Sequence, residues 1–205
     1  MSLQPPADIQ VVKREDKTAR LTEFMEKGLT ALTIKRDEGC SSYDVSVFAR
    51  SVESPVIQAL GVVAADLTAA GARIRLVLTG LEIEDIDTAP VTATLAGARI
   101  DVRVTNDPRL LDAHEQLCLG TDATWIGDCL RREPAKRDAY ERFSTGCAGT
   151  SKSAQTAFEH VWSRSVAMTL PGIDASAAGL NVPDLSINTA GIEGEFGGAT
   201  AATRH

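Results

Sequence analysis

Three histidines occur in the chain, and one of them stands where an imidazole can be aimed into a cleft. His114 follows the turn signal Asp107-Pro108 and precedes a strand-like run, 116–119. A second strand-like run, 124–126, ends in Gly127-Asp128. An imidazole at such a strand edge can act as a nucleophile or as a general acid–base. His160 sits beside an apolar helical stripe and reads as structural, and His205 is terminal. Arg131, Arg132, Lys136, Arg137 and Arg142 crowd just beyond the second strand. Guanidinium forks match phosphate oxygens. Glu133, Asp138 and Glu141 are interleaved, however, so a solvated or ion-paired face competes with a phosphate site. Arg109 and Asp112 can pair with each other or orient the imidazole. His114, Cys118 and Cys129 are zinc-type ligands without an evident fourth, so no metal is expected. Neither phosphate-gripping glycine loop nor nucleophile elbow occurs, and no cofactor is expected.

The run His114-Glu115-Gln116-Leu117-Cys118-Leu119-Gly120-Thr121-Asp122, followed by Thr124-Trp125-Ile126-Gly127-Asp128, resembles the signature of the phospholipase D superfamily. That signature is histidine, any residue, lysine, four residues, aspartate, then a second strand ending in glycine-serine. The strand–helix–strand order and the closing Phe158-Glu159-His160-Val161-Trp162 are also similar, so the resemblance spans residues 17–166. It implies His114 as nucleophile, with Gln116 and Asp122 completing the catalytic motif. It also implies Gly127 as a phosphate-binding residue, and the basic stretch just after the motif offers Arg131 and Arg132 in place of the missing lysine. The family forms a phosphohistidine and uses a second histidine as general acid, which a chain with one motif obtains from a second copy. This sequence departs from the pattern in four places, one being that Gly127, counted from His114, comes one residue early. Gln116 stands at the lysine position and lacks the charge. Thr121 stands at the aspartate position, with Asp122 one residue late. Asp128 replaces the serine and would repel a phosphodiester if it faced the cleft.

The elements that must position these residues are legible from periodicity. Residues 1–16 are polar, with Pro5-Pro6, and read as a flexible arm. Leu21, Phe24, Met25, Leu29 and Leu32 recur at helical spacing, and that helix should stop near Gly39. Tyr43–Ala49 reads as a strand with Val45 and Val47 on one face and Phe48 on the other. Ser54-Pro55 opens a helix striped by Val56, Ile57, Leu60, Val63, Ala64 and Leu67, with Gly71 as its cap. Strands at 73–79 and 99–105 follow, separated by an acidic loop at Glu82, Glu84, Asp85 and Asp87. Strand–helix–strand with short links favours parallel pairing. The basic stretch 131–142 reads as a loop entering a short helix near Tyr140 and Phe143. Ser151 or Ser153 should cap a last helix carrying Ala154, Ala157, Phe158, Val161 and Trp162. The expectation is an α/β domain over 17–169, a single mixed sheet flanked by helices like one half of a phospholipase D, with a low-complexity tail at 170–205.

Composition sets the outer bounds. With 205 residues, 43% hydrophobic and 24% charged, the chain is of single-domain length and globular in kind. A net charge of −7 argues against nucleic acid or an anionic membrane as partner. No apolar run is long enough to span a membrane. MSLQPPADIQ carries no basic region followed by an apolar one, and the four cysteines form no C-x-x-C, so a cytoplasmic protein with reduced thiols is expected. The function expected first is a non-catalytic phospholipase D-like domain that acts by binding or assembly, as a homodimer able to hold a small anionic ligand. Two alternatives are a homodimeric phosphodiesterase using His114 and an interaction protein unrelated to phosphodiester chemistry.

Overall fold

The computed structural model describes residues 8–37, 43–79, 93–95, 98–110, 113–129 and 138–169. Its strands are β1 (Ile9–Lys13), β2 (Tyr43–Ala49), β3 (Ala72–Thr79), β4 (Ile100–Thr105), β5 (Gln116–Leu119), β6 (Ala123–Ile126), β7 (Asp138–Thr145) and β8 (Val166–Met168). Its helices are α1 (Lys17–Asp37), α2 (Pro55–Ala69) and α3 (Ala148–Trp162). The strands form one mixed sheet in the order β1-β7-β6-β5-β2-β3-β4-β8. β2, β3 and β4 run parallel, and the other pairings are antiparallel.

Local chemistry explains the central unit. The Ser54 hydroxyl accepts the Val56 N–H at 3.4 Å, Pro55 supplies a preset first-turn φ, and Gly71 takes φ 89° just past the helix end. Val56, Ile57, Leu60 and Leu67 of α2 are fully buried against Val45, Val47, Ile74 and Leu76 of the sheet. Each such burial stabilises by about 1.5–3 kcal/mol. Leu21 and Met25 of α1 complete this layer, so α1 and α2 share one face.

The other face belongs to α3. Phe158 of α3 packs with Phe48 and Val77, which point away from the main core. The anchors of α3 follow the strand order: Ser151 to Thr124 of β6, Ala154 to Gln116 of β5, Glu159 to Arg75 of β3, and Trp162 to Arg103 of β4. The helix therefore lies across the strands rather than along them.

Three expectations are corrected. Residues 9–13 are not part of an arm: they form an edge strand, with Val11 opposite Tyr140. The segment expected as a loop entering a short helix near Tyr140 and Phe143 is strand β7, paired on both sides. The last helix begins at Ala148 with Cys147 as its N-cap, and Ser151 lies inside it, fully buried. Residues 80–92, which contain the acidic loop, and 170–205 lie outside the described residues, as do Cys40 and Asp112. Among the described residues, no helix is long and apolar enough to cross a membrane.

Candidate functional site

Sheet register builds the floor of a cleft. Phe48 stands opposite Gln116, Gln116 opposite Ile126, and Ile126 opposite Arg142. These four side chains form one row across β2, β5, β6 and β7. The wall is one stripe of α3, where Thr150, Ser153, Ala157 and Val161 recur at helical spacing. Leu110, Ala113 and His114, in the connection leaving β4, close the end. The cleft, open to solvent, has a volume of about 580 Å³. The cleft therefore lies between one face of the sheet and α3.

His114 is half-buried on this cleft and has no hydrogen-bond partner among the described residues. Its neighbour Glu115 is buried and fixes the backbone on both sides. The Glu115 carboxylate accepts the Arg50 N–H at 3.1 Å, and its carbonyl accepts the Gly127 N–H at 2.8 Å. Gln116 lines the same cleft, but its amide is committed: Nε2 donates to the Ala154 carbonyl at 3.0 Å. The lysine position of the resemblance thus holds a strut between sheet and helix.

Asp122 is not brought to His114. It lies in the turn at the far end of the β5–β6 hairpin, beside a smaller cavity lined by Tyr43, Lys27 and Phe24. Burial, with the Asp122 charge adding to it, pushes the Tyr43 hydroxyl up to about 12. Gly127 does not line the cleft either. It is buried, and a Cβ there would meet the Trp125 ring at 2.7 Å, so the glycine serves a close approach of backbone to indole. Arg131 and Arg132 lie outside the described residues. Asp128 sits after β6 with φ 48° and does not line the cleft. Arg109 pairs with Asp107, Nη2 to Oδ2 at 2.7 Å, and this guanidinium holds the Asp107 carboxyl down to about 2. His160 is exposed on α3, contacts Arg164, and is not brought to His114.

Cys118 is buried under α3, where desolvation pushes its thiol up to about 11. Cys129 is half-buried, and no group of three metal-ligating side chains forms among the described residues. Two features escaped sequence reasoning. Arg142, read as part of a basic loop, reaches the cleft because β7 is a strand. Next to it, Glu141 is fully buried on the opposite face, bound by Lys17 at 3.0 Å and by the Trp125 indole N–H at 2.7 Å. Alternation of Glu141 and Arg142 between faces is the strand signal that was available.

No protein-family model matches the chain, and no curated protein matches it in sequence. Solved structures do. The chain is similar to TrmBL2, an archaeal chromatin protein whose structure shows a novel mode of DNA binding. The TM-score is 0.52 at 9% identity, over 80% of this chain and 56% of that one. It is similar to Nuc, a phospholipase D family member from Salmonella typhimurium, with TM-score 0.50 at 13% identity, over 78% of this chain and 97% of that one. Polyphosphate kinase from Porphyromonas gingivalis aligns with TM-score 0.47 at 14% identity, over 82% of this chain and 25% of that one. The fold is phospholipase D-like: one mixed sheet of eight strands flanked by helices.

Proposed function

We propose that this is a phospholipase D-like domain that has exchanged phosphodiester chemistry for binding. The observation that carries the reading is the Gln116 strut. In the resemblance, this position supplies a lysine charge to the phosphoryl oxygens. Here the position has no charge, and one N–H of its amide is anchored on the helix carbonyl. The rest of the cleft supports the same reading. Among its described lining residues are a single histidine and no lysine, and Phe48, Ile126, Phe158 and Val161 make it largely apolar. A general acid would have to come from a second copy. The chain acts as a cytoplasmic homodimer with the two 114–132 segments near a shared axis, and uses the cleft to hold a small ligand. A net charge of −7 argues against nucleic acid as its partner.

The competing reading keeps His114 as nucleophile, and its imidazole, on a cleft and without a partner among the described residues, favours it. In that reading, a ring nitrogen attacks phosphorus, the alcohol leaves with a proton, and a phosphorus–nitrogen bond holds the adduct until water displaces it. Incubation with a chromogenic phosphodiester, alkaline quenching and intact mass analysis tests this. No adduct is expected. An adduct lost in His114→Ala would reject the proposal.

A further inference from the structure

The cleft carries a charge pattern opposite to that of the whole chain. Acidic residues number 28 against 21 lysines and arginines, yet no aspartate or glutamate is among the described residues that line it. The groups there that can carry positive charge are His114 and Arg142. Arg142 is held from outside by Asp8, Nε to Oδ2 at 2.9 Å. That contact is an ion pair without an aligned hydrogen bond, because Nε has no hydrogen-bond partner. The two terminal nitrogens of Arg142 have no partner among the described residues. The guanidinium is therefore braced in place with one edge of its fork unspent.

The apolar part is equally defined. Ile126 lies between Gln116 and Arg142 in the floor, Phe48 and Phe158 close the deep end, and Ala157 and Val161 form the helix wall. A volume of about 580 Å³ falls in the range of small-molecule sites. The small side chain of Ala157, which is exposed, keeps the mouth open between helix and sheet.

Building on the binding reading, the geometry points to one class of ligand: a small amphiphilic carboxylate, with a hydrocarbon or aryl body and one anionic end. The body displaces water from the Phe48–Ile126–Phe158 surface. The carboxylate meets the planar Arg142 fork, which suits two parallel N–H···O bonds. A phosphate dianion fits worse, because Asp8 already offsets part of the Arg142 charge and no lysine is among the described lining residues.

The test is calorimetric titration of the full chain with decanoate below its micelle-forming concentration, with decanol and inorganic phosphate as parallel titrants. Saturable binding of decanoate is expected, at least tenfold tighter than decanol, with no binding of phosphate alone. Arg142→Gln should weaken decanoate at least tenfold and leave decanol unchanged. Ala157→Phe fills the mouth from an exposed helix position and should abolish both, with unchanged circular dichroism. Phosphate binding in place of decanoate, equal binding of decanol and decanoate, or decanoate binding unaffected by Ala157→Phe would each overturn the assignment. Absence of decanoate binding with no His114-dependent hydrolysis would overturn the ligand class and leave the non-catalytic reading standing. His114-dependent hydrolysis would overturn that reading itself.

Discussion

Glu141 is the residue most at odds with its surroundings: a carboxylate with no exposure, facing α1 rather than water. It is tolerable because Lys17 supplies charge and Trp125 a hydrogen bond, and the Lys17 ammonium also lies 5.2 Å from the Trp125 ring centroid. Removing one partner of a buried pair strands the other, so Glu141→Ala should destabilise by about 3–5 kcal/mol in chemical denaturation. A loss below about 1 kcal/mol would show that the pair is dispensable. Tyr43 gives a pH prediction. Its hydroxyl ionises near 10 in the unfolded chain and at about 12 in the folded one. The folded state thus holds the proton longer, and the contribution is complete below pH ~10 and lost as pH rises towards ~12. Tyr43→Phe should flatten that decline, and an unchanged alkaline slope would contradict the burial argument. Among the thiols, exposed Cys147 is lowered by the Thr150 hydroxyl, whereas Cys118 is raised by burial. Peptide mapping after iodoacetamide treatment at neutral pH should find Cys147 modified well before Cys118. The reverse order would place Cys118 on an accessible surface. At this scale the sequence was half legible. His114 and Gln116 were found and do share a cleft. Asp122 and Gly127 were assigned through the resemblance, and the structure puts Asp122 at the turn end of the β5–β6 hairpin and Gly127 against the Trp125 ring.

At the scale of elements, legibility follows how local the signal is. The helix at 55–69 declares itself through cap, proline, stripe and terminal glycine, all within one short stretch. β2 and β3 declare themselves through apolar runs that suit strands buried on both faces. β1 and β7 do not, because each depends on a strand far away in sequence, and β7 turns a charged residue inward. The start of α3 was misjudged for a related reason. Ser151 has the chemistry of a cap, but its hydroxyl bonds Thr124 at 2.9 Å across the helix–sheet interface. Leu60, fully buried in α2, tests the central layer: Leu60→Ala should cost about 2–5 kcal/mol. A cost below about 0.5 kcal/mol would put that helix face at the surface.

For the whole molecule, the sheet ends in two short edges, β1 and β8. Light scattering on the full chain and on residues 1–169 checks the proposed homodimer. A dimer is expected for the full chain, and monomers in both at tens of micromolar would refute it. The α/β architecture was legible because apolar runs at β2 and β3 and the alternation of β4 flank one clear helix. The occupant of the cleft was not, because its floor is assembled from β2, β5, β6 and β7, and register across four strands is a property of the fold, not of any local run. The central claim is that this fold is used to bind and not to cleave. Turnover of bis(4-nitrophenyl) phosphate by the purified chain, measured beside His114→Ala, tests it most directly. The two proteins should be indistinguishable from buffer. A rate above background in the native chain that vanishes in His114→Ala would contradict the account.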